Sequence, residues 1–207
     1  MTRLFLVRHG QSEWNALGKW QGQADPPLSK LGEEQALQVA SGLPPFVLLA
    51  SSNLQRAMQT AKIFAQIQDW GHNNIVIEER LQERDAGAFS GLTRVEIDEQ
   101  FPGYLGNDIW PDNWEPDDVL LKRLLAGLDE LVALTTKTPL SDTSGDIVVV
   151  THGGCIYALE SLFGESYERI PNLSGRWFEI NNGDIEIGER ADLLDPKERT
   201  SPDPFTI

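Results

Sequence analysis

Short uninterrupted apolar runs alternate along this chain with longer stretches in which apolar residues recur every three or four positions. Few folds accept both patterns. Leu4-Phe5-Leu6-Val7, Phe46-Val47-Leu48-Leu49-Ala50, Ile75-Val76-Ile77 and Ile147-Val148-Val149-Val150 are too short for helices and apolar on both sides, the mark of strands buried on both faces. Between them lie helical signals. Ser29 is placed to cap a helix running to about Leu43, ended by Gly42 and Pro44-Pro45. Leu54, Ala57, Ala61 and Phe64 form one stripe after Ser51-Ser52-Asn53, and Leu121, Leu124, Leu125, Leu128, Leu131 and Val132 form another in a helix expected to begin at Pro116. Gly153-Gly154 opens onto a further apolar helix, Ile156 to Phe163.

Strands of this kind alternating with helices predict an α/β fold of three layers, α/β/α, around a mostly parallel central sheet. Arg176–Ile180 and Asp184–Ile187 flank Asn181-Asn182-Gly183 and read as a hairpin at a sheet edge. Pro102–Asp118, with Trp110, Trp114 and three prolines, breaks the alternation and reads as part of an inserted lid around 92–118. We expect a single domain over residues 1–190 and a loose Pro/Asp-rich tail over 191–207.

Composition narrows the classes of partner. The 207 residues carry a formal charge of -15, from 17 Lys+Arg against 32 Asp+Glu. Such a balance excludes the basic stripe that nucleic acid requires and disfavours an anionic membrane surface. No stretch approaches the roughly 20 apolar residues of a membrane helix. The start, Met1 to Ser12, lacks a signal-peptide layout because Arg8 and His9 interrupt its apolar run. A single cysteine, Cys155, forbids an internal disulfide framework and suits a reducing compartment. The expectation is an acidic, cytoplasmic globule.

Two of the three histidines stand in a repeated context. Leu6-Val7-Arg8-His9-Gly10 and Val149-Val150-Thr151-His152-Gly153-Gly154 are both apolar strands ending in His-Gly. In open α/β sheets ligands bind just beyond the carboxyl ends of strands, so both imidazoles are expected at the binding edge. The third, His72, lies in the turn-like Trp70-Gly71-His72-Asn73-Asn74 and reads as a bystander. A neutral imidazole is a good nucleophile towards phosphorus, and an adjacent guanidinium favours that neutral form. The arginine fork also matches two phosphoryl oxygens. Arg56, in the first turn after the strand at 46–50, overlooks the same edge. Arg8, His9, Arg56 and His152 are therefore expected to converge on one dianionic group without a metal. Cys155 reads as a small buried helix residue, and its spacing from His152 comes with no further metal ligands.

These residues carry a resemblance. Arg8 to Asn15, Gly22 with Pro27 to Gly32, Ser51 to Ala61, Leu81-Gln82-Glu83 with Gly87 and Gly91, and Thr151 to Gly154 form an ordered set that resembles the histidine phosphatase superfamily, the phosphoglycerate-mutase-like enzymes, across nearly the whole chain. The resemblance implies a phosphoglycerate-mutase-like fold. It implies that His9 becomes a phosphohistidine and that Arg8, Arg56 and His152 hold the transferring oxygens. Asn15, Gln21, Gly22 and Gly153 would line the same pocket, and the start of the helix at Gly153-Gly154 would add N–H donors. It calls for a small phosphomonoester substrate and for no cofactor. The leaving oxygen also needs a proton. On residue type Glu83 and Asp85 are equal candidates; the family motif favours Glu83, with a raised pKa.

The stretch Glu83 to Asp118 holds ten acidic residues against Arg84 and Arg94, and reads Trp110-Pro111-Asp112-Asn113 where the mutases carry an arginine pair. This favours transfer to water over a mutase reaction, and a neutral or aromatic leaving group over a polyanionic one. Two other classes remain on sequence grounds: a noncatalytic phosphoester-binding module, and a metal-dependent hydrolase using His9 and His152.

Overall fold

The computed structural model describes residues 2–137, 145–181, 184–195 and 197. Strands β1 (Thr2–Arg8), β2 (Phe46–Ser51), β3 (Val76–Ile77), β4 (Asp146–Thr151), β5 (Ser174–Asn181) and β6 (Asp184–Asp192) form one sheet in the order β3-β2-β4-β1-β5-β6. Neighbours from β3 to β1 are parallel, while β5 and β6 run antiparallel at the far edge. The helices are α1 (Glu13–Ala16), α2 (Lys30–Ala40), α3 (Gln55–Ile67), α4 (Arg94–Gln100), α5 (Asp117–Lys137) and α6 (Gly153–Ser161). None of those described is long and apolar enough to cross a membrane.

The uninterrupted apolar runs are explained by burial from two sides. Successive strand side chains point to opposite faces. Leu4, Leu6, Ile147 and Val149 accordingly pack into one cluster with Leu120, Leu124, Leu128, Ile156 and Leu159 of α5 and α6. Phe5, Val7, Val148 and Val150 pack into the other, with Ala36 and Val39 of α2 and Ala57, Ala61 and Phe64 of α3. Either face of β1 needs a helix layer, so the chain cannot stop at two layers.

Helix boundaries follow capping chemistry. Ser29 accepts the Gly32 N–H at the start of α2, as its place in the sequence predicts. Helix α5 starts at Asp117, with the Pro116 carbonyl accepting from Leu120 N. The proline therefore sits one residue outside the helix it was expected to open. The lid is not structureless. It contains α4, closed by a reciprocal Thr93–Glu96 capping box, and its own small core in which Ala86, Phe89 and Ile97 are buried against Trp20, Phe101 and Trp114.

The chain is also held beyond residue 190. Ala191 and Asp192 continue β6, Leu193 N–H donates to the Leu173 carbonyl, and Leu194 is buried in the core. Apolar burial thus extends order past the expected start of the tail. Residues 198–207 and the hairpin residues Asn182 and Gly183 lie outside the described residues.

Candidate active site

The parallel register of β1 and β4 assembles the centre of the site. Arg8 pairs with Thr151, and His9 N–H continues the ladder onto the Thr151 carbonyl at 3.0 Å. The two His-Gly strand ends therefore finish side by side, with the imidazole centroids of His9 and His152 5.2 Å apart. His9 borders a cavity of about 330 Å³. Arg8, His9, Asn15, Gln21, Gly22, Arg56, Glu83 and Gly153 all line it. His152 is fully buried next to His9 and is not itself on the lining.

Hydrogen bonds fix the chemical state of His9. Its Nδ1 lies 2.6 Å from the Gly10 carbonyl oxygen. A carbonyl only accepts, so Nδ1 carries the proton and Nε2 presents a lone pair. Arg56 Nε–H points at that Nε2 from 3.2 Å. Burial, then the charges of Arg56 and Arg8, hold the His9 pKa well below the ordinary imidazole range. His152 is depressed likewise, by burial first and then by Arg56, His9 and Arg123. His152 Nε2 is 2.9 Å from Ser52 Oγ, while its Nδ1 is buried without a hydrogen-bond partner.

Both arginines are held by main-chain oxygens. Arg8 Nη1 donates to the Ile170 carbonyl at 2.7 Å. Arg56 Nη1 and Nη2 donate to the carbonyls of Ala24 and Gly22 at 2.7 and 2.9 Å. Neutral acceptors orient these guanidiniums without cancelling their charge, so each remains a full cation for an anion. Burial brings the Arg56 pKa down to about 10, still high enough to keep the charge at neutral pH.

Gly22 thus acts through Arg56 as well as through its place on the wall. It adopts φ +53°, and a side chain there would come within 2.6 Å of the Ala86 nitrogen, so the close approach requires glycine. Gln21 Oε1 accepts from Ser12 Oγ at 2.7 Å. Asn15 Oδ1 accepts from Ser12 N–H at 3.1 Å and from Asn172 Nδ2 at 3.3 Å. Its oxygen is committed to the protein, and its amide nitrogen is the end left for a ligand.

Of the two competing carboxyls, Glu83 lines the cavity, whereas Asp85 Oδ1 accepts the Gly87 N–H in a turn. Glu83 Oε1 and Oε2 accept the N–H groups of Arg84 and Gly154 at 2.8 and 3.1 Å. The start of α6 therefore serves Glu83: the Gly154 donor that the sequence offers to a ligand is already used. A Cβ at Gly154 would collide with Glu83 Oε1. Arg123, on α5, braces the loop behind by donating to the Gln82 and Glu83 carbonyls.

Of the acids of the lid, Asp117 alone reaches the cavity lining. Glu96 caps α4, Glu115 is paired with Arg123, and Asp98, Glu99, Asp108, Asp112 and Asp118 are exposed. Of the ten acidic residues, Glu83 and Asp117 alone are on the lining, which also includes Lys19 and Arg84. Asp117 is 2.6 Å from Arg84. The expected bias against a polyanionic leaving group therefore draws little support from the lid, whose acids mostly serve caps, ion pairs and solvent. Trp110 and Trp114 stack at 4.2 Å and 11° and, with Trp20, Tyr157 and Tyr167, form an aromatic wall. They pack the lid and face the cavity at once.

Sequence reasoning missed several supports. Thr60 Oγ1 accepts the Gly10 N–H and Ser52 meets His152; both lie inside the 51–61 motif that signals Arg56. Asn172 and Arg123 sit in no such pattern. Cys155 is fully buried, its thiol pushed up to about 12 by burial and then by Glu83, as suits an inert core residue. Among the described residues no group of three His, Cys, Asp or Glu side chains is arranged to hold a metal.

Two histidines and two buried cations meet at the carboxyl edge of an α/β sheet, an arrangement with the chemistry to hold a phosphoryl group. The histidine phosphatase superfamily (branch 1) matches residues 4–192, and the chain belongs to it. It is 36% identical over 211 residues to the glucosyl-3-phosphoglycerate phosphatase of Mycolicibacterium vanbaalenii, covering 93% of this chain and 91% of that one. It is 32% identical over 213 residues to a probable phosphoglycerate mutase of Proteus mirabilis, covering 89% and 94%. A mycobacterial glucosyl-3-phosphoglycerate phosphatase solved in complex with VO3 superposes with a TM-score of 0.80 at 27% identity, covering 93% of this chain and all of that one. The protein is a phosphomonoester hydrolase of the histidine phosphatase type.

Proposed function

We propose that hydrolysis proceeds through a phosphohistidine on His9. The observation that carries this reading is the pinned tautomer: Nδ1–H on the Gly10 carbonyl leaves Nε2 as a lone pair facing the Arg56 Nε–H. In the first step Nε2 attacks phosphorus and the bond from phosphorus to the leaving oxygen breaks. Glu83 gives its proton to that oxygen. In the second step Glu83 takes a proton from water, the water oxygen attacks phosphorus, and the P–N bond breaks to release phosphate and neutral His9.

The surrounding groups stabilise charge as it develops. The Gly10 carbonyl balances the positive charge that the imidazole gains on phosphorylation. Arg8, Arg56, the Asn15 amide and the unpartnered His152 Nδ1 serve the equatorial oxygens, with the Arg56 Nε–H passing from His9 to the ligand. Gln21 and Gly153 complete that wall. The leaving group faces Lys19, Arg84, Asp117 and the paired tryptophans, a surface suited to a polar organic ester with an anionic group and a broad face. A phosphoglycerate ester bearing a sugar, as in the names of the mycobacterial relatives, has that chemistry. We place the enzyme in the cytoplasm.

The test is a set of phosphomonoesters (glucosyl-3-phosphoglycerate, 3-phosphoglycerate and 4-nitrophenyl phosphate) assayed with wild type and His9→Ala, together with acid-quench trapping of labelled enzyme. Turnover and an acid-labile, base-stable phosphoryl label are expected in wild type and not in His9→Ala. A label that survives in the variant refutes His9 as the nucleophile. Isomerisation of 3-phosphoglycerate faster than its hydrolysis refutes transfer to water as the main reaction.

A further inference from the structure

We infer that Asn172 is a positioning residue that decides which end of the Asn15 amide faces the phosphoryl group. This rests on the reading of the cavity as a phosphoryl site.

Asn172 is 9% exposed and lies between β1 and α1, far from both in sequence. Its Nδ2 donates to the His9 carbonyl at 2.8 Å and to Asn15 Oδ1 at 3.3 Å. An amide nitrogen carries two N–H groups, so both acceptors can be served at once. The consequence for Asn15 is polarity. With Ser12 N–H on the same oxygen at 3.1 Å, Oδ1 faces two donors, and turning the amide would set its NH2 against both. The orientation that remains presents N–H donors to the cavity, which an anionic ligand needs. Ser12 alone holds Oδ1 less firmly, and it belongs to the same short turn as Asn15, whereas Asn172 comes from a segment 157 positions away.

The segment carrying Asn172 is built for this placement. Pro171 to Ser174 forms a turn closed by Ser174 N–H on the Pro171 carbonyl at 3.2 Å. Leu173 occupies its third position with φ +58°, the left-handed conformation that turns ordinarily give to glycine. The leucine is retained there with its side chain wholly buried in the α2–α3 side of the core, its N–H on the Arg8 carbonyl at 3.0 Å and its carbonyl accepting from Leu193. Three residues before that leucine, the Ile170 carbonyl receives the Arg8 guanidinium. Residues 170–173 thus grip Arg8, His9 and Asn15 together, and a strained backbone at such a place is held by the packing around it.

The experiment is a double-mutant cycle read by competitive inhibition with inorganic phosphate. Asn172→Ala is expected to raise the phosphate Ki by about tenfold. Asn172→Asp, of the same shape but without donors, is expected to raise it further, because its oxygens repel Asn15 Oδ1 and favour the wrong amide orientation. In an Asn15→Ala background the Asn172→Ala change should move Ki less than about twofold, since the group it orients is gone. Equal effects of Asn172→Ala in the two backgrounds, or Asn172→Asp no worse than Asn172→Ala, would overturn the proposal. If Asn172→Ala does not fold, Asn172→Ser, which cannot reach both acceptors, carries the same expectation. A wild-type enzyme that phosphate does not inhibit competitively would instead sink the phosphoryl reading of the cavity itself.

Discussion

The two ends of the cavity are built on different principles. At the phosphoryl end, Arg8, His9, Arg56 and His152 are buried, rise from the ends of parallel strands or the first turn of a helix, and are pinned by main-chain carbonyls, the Ser52 hydroxyl or one another. At the leaving-group end, Trp110 is 42% exposed, Trp114 is half-buried, and Arg84 meets an exposed Asp117 carboxylate. Those residues belong to the lid and the loops beside it. The rigid end is suited to transition-state charge and tolerates no displacement; the softer end is suited to recognising a substrate and can be rebuilt without losing the chemistry.

Breaking the rigid end should have the largest effects. His9→Ala removes the proposed nucleophile and is expected to lower kcat on the order of 10⁴-fold or more, with unchanged far-UV circular dichroism. Residual turnover above a few per cent of wild type would put the chemistry elsewhere. Gly154→Ala ranks next. Its new methyl must push the Glu83 carboxyl away, and we expect kcat for alkyl phosphates to fall about 10²-fold. The loss should be smaller for 4-nitrophenyl phosphate, whose leaving group needs little protonation. Equal losses on both esters would mean that Glu83 does not supply that proton.

A third prediction concerns pH. His9 and His152 titrate well below 6.5 when folded, and unfolding returns each to about 6.5. The unfolded chain therefore binds more protons in the window beneath 6.5, so their contribution is complete above that pH and is lost as pH falls. Thermal or urea denaturation should show stability falling progressively as the pH is lowered from 6.5 to 5. kcat/KM should not fall near pH 6.5 from protonation of His9. A rate profile with an acid limb at 6.5 would show that the nucleophile is not held neutral by burial and the two arginines.

The smallest effect belongs to the soft end. Trp110→Ala removes half of the stacked pair and is expected to raise KM by about fivefold for esters with a broad leaving group, leaving kcat within about twofold. A comparable loss of kcat on every ester would show that the two ends are coupled more tightly than their construction implies.

Much of the rigid end is legible along the chain because strand burial and strand termini are local signals. An apolar run ending in His-Gly states both that the strand is interior and that its last side chain reaches the edge where ligands bind. Ser29 as a cap and α2, α3 and α6 as helices follow from equally local chemistry. The acids of the lid are the contrary case. Their number in Glu83 to Asp118 suggests an acidic pocket, yet Glu96, Glu115 and Asp85 are turned to capping or pairing. Composition reports how much charge a segment has and is silent on where each side chain points.

The amino-acid sequence by itself determined the layered α/β architecture, the pairing of two His-Gly strand ends and the company of Arg8 and Arg56, because hydrophobic periodicity and residue chemistry act over a few neighbouring positions. Only the tertiary structure decided that Glu83 and not Asp85 faces the cavity, that Gly154 must lack a side chain to admit it, and that Asn172 reaches back 163 positions to the His9 carbonyl. Each of these depends on the distance between segments brought together by the sheet register and the loops, a quantity that no stretch of the chain carries alone.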